Sequence, residues 1–514
     1  METPAASYDV VCVGTQLAPL LAGALLAKRG FRVLLVSQDE RPATYAATDE
    51  LRFPREPFHF LPASSPVARR VLAELALQQR FRRHATHVDP AFQICLPRHR
   101  FEFARDADIL DREIEREFPE VKRPVEDFLR ANESQQRALD AVFDRDLMWP
   151  PQTFFERREH NRATASLPFG KRGTKYDPLA EFPERHPFRL AVELPARFSD
   201  GMDPDHTNGF RLSRLFGSWR EGAASLEGGY ATLRKLLEET IETHGGAMRD
   251  PEKIDRVRVR RGRVTGVRLA ASGEEIGAEW VLMGSPLRRL LSWIPDRSPF
   301  EELFERIGEP VVRYYRYTVN LRVRPEAIPE GMSQDVFYVR DPSRPLWAAN
   351  ALRIRAEPLR EDGRRHLCVE AILPRRGIED PTDFASRMRE KVVASLGELM
   401  PFLGEHIELI DSPHDGRGAQ HLEDRMSLTS PEPWHRGPST MRAVHGFPVS
   451  SGLGVCAVPV RSPIKQLLMC NDQVVPGLGL EGLFLAAWSS ARLVSRSDNK
   501  RDWMRRGRWG KLEI

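Results

Sequence analysis

Gly14-Thr15-Gln16-Leu17-Ala18-Pro19 is a turn of mostly small residues between an apolar run at 8–13 and a helix-forming stretch at 20–29 that Gly30 ends. Such a turn can present successive backbone N–H groups, at the positive end of a helix, to a phosphate or pyrophosphate. The chemistry asks for glycine at three places: where the turn is tightest, where the backbone meets the anion, and where helix and strand pack closely. Gly14 meets the first demand, Gln16 stands at the second and Pro19 at the third. Proline is easily accommodated at a helix start but brings no N–H. A second candidate anion site lies near the other end, at Pro476-Gly477-Leu478-Gly479-Leu480-Glu481-Gly482, ahead of a helical stretch at 483–493. Three closely spaced glycines before a helix make a nest of N–H groups able to hold negative charge.

These turns need elements to position them. Residues 8–13 (YDVVCV) and 31–36 (FRVLLV) read as buried strands around the 20–29 helix, a βαβ unit of the kind that seats a dinucleotide pyrophosphate. An acid at the end of the second strand would hold a ribose hydroxyl. Ser37 is at that place, followed by Gln38, Asp39 and Glu40, and Asp39 serves if the strand runs two residues longer. Further on, Gly228-Gly229 opens a helix over 231–244 that Gly245-Gly246 closes. Strands at 254–259 and 264–269 turn at Arg261-Gly262, and a strand at 275–283 runs into Gly284-Ser285-Pro286. Residues 467–472 (LLMCND) form a strand with a polar tip just before the second glycine turn.

Between these pieces the texture varies. Residues 41–66 are proline-rich and aperiodic, with Arg52 and Arg55 either phosphate contacts or a solvated pair. Residues 67–79, 106–118 and 124–143 read as helices, and 92–96 with 99–103 as a hairpin. From 149 to 217, Phe154, Phe155, Phe169, Phe182, Phe188, Phe198 and Phe210 recur among prolines and arginines. That stretch reads as interdomain core or, on the other reading, as the lining for an oily ligand. Strands at 311–323, 335–340 and 366–373, with a helix at 384–400, predict a second, mixed-sheet domain.

The 514 residues suffice for two or more domains, and 41% hydrophobic with 29% charged residues is a soluble, globular profile. A net charge of +4 from 77 basic and 73 acidic groups gives no reason to expect nucleic acid. There is no apolar run of about 20 residues and no leader pattern, so a cytoplasmic location is the expectation. Cys12, Cys95, Cys368, Cys456 and Cys470 have neither zinc nor disulfide spacing. No serine elbow, P-loop or metalloprotease pattern occurs, and none of the fourteen histidines, His84 with His87 included, forms a site. The basic tail, Arg496 to Lys511 with Trp503, Met504 and Trp509, is either solvated or a peripheral contact with an anionic membrane or an acidic partner.

Taken in order, the opening βαβ, the GG-helix-hairpin-strand and the closing strand-loop-helix resemble the FAD-dependent phytoene desaturase and amine oxidase superfamily, which includes the Rab GDP-dissociation inhibitors. The resemblance implies an α/β fold: a Rossmann-like FAD-binding domain with a second, mixed-sheet substrate domain. It divides the chain into dinucleotide-binding segments at 1–90, 226–300 and 451–494, a substrate or cap region at 91–225, a substrate domain at 301–450 and the tail at 495–514. FAD is the implied cofactor. Gly14, Thr15, Gln16 and Asp39 would meet its pyrophosphate and ribose, Asp472 its ribityl–phosphate part, and Gly477, Gly479 and Gly482 its flavin. Asn471 stands where the family has glycine. No metal and no catalytic side chain are assigned. Two functions follow. One is a flavin-fold protein with a weakened or lost FAD site that binds an apolar small molecule or a protein partner. The other is an active FAD-dependent desaturase, isomerase or reductase acting on a hydrophobic, carotenoid-like or isoprenoid-like substrate. A scaffold acting through its basic tail is a third class.

Overall fold

Leu17–Lys28 has no polar face, being built, up to its terminal Lys28, from leucine, alanine and glycine with one proline, and every residue from Leu17 to Ala27 is buried. A helix apolar all round has to be enclosed all round. Here the sheet covers one side, and the helices Tyr230–Thr243 and Gly479–Ser497 cover the others. The computed structural model describes residues 6–38, 42–168, 176–375, 381–422 and 426–497. Asp39, Phe169 and the tail beyond Ser497 therefore lie outside the described residues.

The sheet behind that helix has seven strands. Its order is Ile254–Arg260, Arg263–Leu269, Glu275–Met283, Ala6–Val13, Val33–Val36 and Ala247–Arg249, with Leu467–Met469 paired to the upper half of Glu275–Met283. Glu275–Met283, Ala6–Val13, Val33–Val36 and Ala247–Arg249 run parallel, as does Leu467–Met469. The hairpin at one edge is antiparallel. Parallel strands covered on both faces must be apolar throughout, and residues 10–13 and 33–36 are buried without alternation.

The second sheet has nine strands centred on Val311–Val323, which pairs with Arg365–Pro374, Ile407–Asp411 and Arg442–Gly446. Its alternation sorts the two faces. Tyr317, Val319 and Leu321 join the helix Pro381–Leu399 in an apolar core. Arg316, Thr318 and Asn320 point the other way, where Asn320 Nδ2 donates to the Pro54 carbonyl (2.9 Å) and Arg316 to the Phe198 carbonyl (2.9 Å). The hairpin Gln93–Leu96 and His99–Glu102 extends this sheet beyond Asp335–Val339.

Two local expectations change. The helix at 67–79 is two helices, Pro66–Glu74 and Gln78–His84, separated by Ala76 in the left-handed region. The 41–66 stretch holds an antiparallel pair, Thr44–Ala46 with Arg52–Pro54, whose Tyr45 and Phe53 pack in a small core with Leu409 and Ala419. Three-residue strands carry too little periodicity to be read in isolation, because their burial comes from a partner some 360 residues away. The aromatic stretch is core: Phe182, Phe188 and Phe198 join Phe92, Phe128, Phe216 and Trp219 in one cluster, and Phe210 joins the other main core. Phe154 and Phe155 are the exceptions, 66% and 77% exposed. All five cysteines are buried and unbridged.

Candidate functional site

Val13, Met283 and Met469 stand in register on adjacent parallel strands, so the turns after them emerge on one crest. At roughly 4.8 Å per strand, Gly14 and Cys470 are about 10 Å apart. Open α/β sheets take their ligands at such carboxyl ends. The fold thus brings the opening turn and the closing polar tip together.

Gly14 has φ +106°, and its N–H donates to the Val36 carbonyl (2.8 Å). Thr15 is buried, and its carbonyl accepts from the Tyr230 hydroxyl (3.4 Å). The Gln16 side chain folds back over the turn. Its Oε1 occupies the space a Cβ on Gly14 would need, and lies 2.9 Å from where a Cβ on Gly284 would stand. The Gln16 carboxamide therefore fills the space that the glycine of the turn and the glycine of the neighbouring strand leave open. Pro19 Cγ is 2.7 Å from the same Gly284 position. Close packing of helix on strand is kept, but the glycine that permits it has moved to the neighbouring strand.

The ribose end is similarly engaged. Gln38 is buried, with Oε1 accepting from the Ile254 N–H (2.7 Å) and Nε2 donating to the Ile254 carbonyl (3.4 Å). Arg52 and Arg55 belong to the protein's own scaffold. Arg52 pairs with Glu432 (2.9 Å), and Arg55 donates to the Pro42 and His435 carbonyls (2.9 and 2.7 Å).

At the closing tip, Asn471 Nδ2 donates to the Ser285 carbonyl (2.6 Å) and Gln473 Oε1 accepts from the Leu287 N–H (2.9 Å), tying the tip to the next strand and helix. Asp472 lies beside Arg442 of the second sheet. Its carboxylate lies 3.9 Å from Arg442 Nε, and Glu56 lies 3.3 Å from the same guanidinium. The three side chains are 42%, 36% and 44% exposed, so solvent reaches all of them. Glu56 first, and Asp472 after it, hold Arg442 above the ordinary arginine value against the cost of burial.

Gly477, Gly479 and Gly482 lie behind the crest, and each is tight against protein. A Cβ on Gly477 would come 2.8 Å from Val455 Cα, one on Gly479 would strike the Ser199 carbonyl, and one on Gly482 the Val475 carbonyl. The Gly477 N–H donates to the Val455 carbonyl (3.0 Å). In the first turn of the closing helix, buried Glu481 accepts from Arg214 Nε and Nη2 (2.8 and 2.6 Å) and from Ser65 Oγ (2.5 Å). A carboxylate near a helix N-terminus answers the same partial charge that a flavin or phosphate would. Although burial opposes its charge, Glu481 and Asp140 keep Arg214 above its usual value.

The residues that engage these places, Gln38, Gly284, Glu481 with Arg214 and Ser65, and Arg442 with Glu56, were not evident as partners in the sequence. Only Gln38 and Glu481, adjacent to the motifs, carried a local signal. No group of three or more His, Cys, Asp or Glu suited to a metal occurs among the described residues. His84 instead lies 3.4 Å from Glu227.

Residues 12–75 match the model of the NAD(P)-binding Rossmann-like domain. No curated protein matches the chain. Solved structures match nearly all of it: an oxidoreductase from Methanosarcina mazei (14% identity, 93% of this chain and 99% of that one, TM-score 0.57) and cyclohexylamine oxidase from Brevibacterium oxydans (15%, 95% and 99%, 0.55). Putrescine oxidase with putrescine bound is similar at 14% identity over 96% and 99% of the two chains, TM-score 0.57. The chain has the fold of these structures, a Rossmann-like domain with a second sheet domain, the architecture of the amine-oxidase and phytoene-desaturase-like superfamily. On that fold the Gln16 carboxamide lies over Gly14 and Gly284, Gln38 is hydrogen-bonded to Ile254, and Glu481 stands in the first turn of the closing helix.

Proposed function

We propose that this chain is an oxidoreductase-fold protein with a weakened or lost FAD site that works by binding an apolar small molecule or a protein partner. One observation carries this reading: the Gln16 carboxamide oxygen lies over Gly14 and Gly284, where a dinucleotide would need the backbone bare. The absorbance spectrum of the freshly purified protein between 300 and 600 nm, repeated on the supernatant after heat denaturation, tests it. A spectrum without flavin bands, unchanged when FAD is supplied during purification, is expected. Stoichiometric flavin overturns the reading.

The second reading is an active FAD-dependent oxidoreductase on a hydrophobic, carotenoid-like or isoprenoid-like substrate. The comparisons favour it over the first, because the matched structures are oxidoreductases, two of them amine oxidases. The solvent-accessible Asp472, just past the carboxyl end of Leu467–Met469, favours it too. Under this reading Gln16 swings off the turn, and FAD raises the melting temperature.

A further inference from the structure

Three segments far apart in sequence meet at one edge of the seven-stranded sheet. The first is the start of the helix Phe154–Thr164, where Thr153 and Glu156 form a reciprocal cap. The second is the tight turn at 461–468, closed by Arg461 pairing with Leu468. The third is the tip of the hairpin between Ile254–Arg260 and Arg263–Leu269. Specific bonds join them. Glu156 pairs with Arg461 (2.7 Å), and Gln152 exchanges hydrogen bonds with the Arg461 backbone (2.9 and 3.3 Å). On the other side of the turn the Lys465 N–H donates to the Gly262 carbonyl (2.9 Å), and the Val264 N–H to the Lys465 carbonyl (3.0 Å). Arg461 and Lys465 are four positions apart, so the two attachments lie within about 14 Å.

What this junction exposes is of two kinds. Phe154 and Phe155 are 66% and 77% exposed, with their rings edge to face at 5.7 Å, and they contribute to neither large core. Arg260, Arg261, Arg263 and Lys465 are exposed, and none has an ion-pair partner among the described residues. Arg157 and Arg158 extend the positive charge along the helix behind the phenylalanines. Basic residues on an edge hairpin also discourage edge-to-edge pairing. That purpose gives no reason for two solvent-facing aromatic rings beside them.

We propose that this junction is a peripheral docking surface for an anionic lipid bilayer, with Phe154 and Phe155 inserting at the acyl boundary and the hairpin arginines with Lys465 lying against the headgroups. Apolar side chains flanked by unpaired cations bind such an interface by combining burial with attraction to negative lipid. The aromatic pair stands out from a helix start instead of lining a groove, which suits a surface better than a threaded strand of nucleic acid. The surface is independent of whether the chain binds FAD.

Flotation of the full chain with phosphatidylcholine vesicles containing about 30 mol % phosphatidylglycerol, against pure phosphatidylcholine, tests the proposal at low and high salt. Binding is expected to the anionic vesicles, weakened at least tenfold by high salt and near background on neutral ones. Phe154→Ser with Phe155→Ser should cost tenfold or more, and Arg260→Ser, Arg261→Ser and Arg263→Ser together should flatten the salt dependence. These side chains are exposed, so unchanged melting curves will show that the variants remain folded. Three outcomes overturn the proposal: no flotation of the full chain, undiminished flotation of the Phe variant, or loss of all flotation on removing 498–514 alone. Tighter binding to a single-stranded oligonucleotide than to the anionic vesicles overturns it as well.

Discussion

The opening turn and the closing glycine loop both adjoin the carboxyl ends of the parallel strands, but the space around them is filled in different ways. In the opening turn glycines are replaced, and a side chain, Gln16, occupies the space they would leave open. In the closing loop the glycines remain, and the protein's own backbone uses the space, with Val475, Val455 and Ser199 pressed against them. Retained glycine is thus no sign of a retained ligand. A glycine nest and a close-packed crossing need the same absence of a Cβ, and the tertiary structure alone tells them apart.

The comparison predicts that disturbing the closing loop harms stability, while disturbing the opening turn alters binding. The largest effect should come from Arg214→Met, which strands buried Glu481 beside Ser65 and should cost about 3–5 kcal/mol in urea unfolding. Adding Glu481→Gln should recover part of that loss, since the uncompensated charge is then gone. Gly482→Ala, forced against the Val475 carbonyl, should cost about 1–3 kcal/mol by the same measurement.

Acid provides a third probe. Burial pushes His160 down to about 4, and His59 and His366 likewise, so all three are neutral in the fold at pH 7. Unfolded histidine binds its proton near pH 6.5, so the unfolded state gains protons first as pH falls. Stability should therefore be full above about pH 6.5 and drop as pH moves toward 4, by roughly 2–3 kcal/mol per histidine at most. His160→Phe, replacing a ring that packs edge-on to Trp149, should flatten the profile of melting temperature against pH.

The smaller effects belong to the opening turn. Gln38→Ala removes both bonds to Ile254 and should lower stability by about 1–2 kcal/mol in thermal melts. Gln16→Gly with Pro19→Gly should change stability least and FAD affinity most. Tighter FAD binding in a titration calorimeter would show that Gln16 is the obstacle. Weaker binding would mean that the Gln16 amide holds the pyrophosphate, and would favour the redox reading.

Much of the architecture was legible in the residues because it is local. Val311–Val323 and Glu275–Met283 coincide with the strands read from alternation and β-branching, and the apolar runs at 8–13 and 31–36, read as the buried strands of a βαβ unit, are parallel and covered on both faces over 10–13 and 33–36. The order of the opening βαβ, the middle hairpin and the closing strand-loop-helix was enough to point to the flavin-oxidase fold. Periodicity depends on near neighbours, and a sequence records near neighbours directly. The site depends on distant ones. Gln38 reaches Ile254, Glu481 reaches Ser65 and Arg214, Arg442 stands between Glu56 and Asp472, and Lys465 meets Gly262. A side chain's chemistry is set by whatever desolvates it and shares its hydrogen bonds, and across hundreds of residues only the packed chain decides which groups those are.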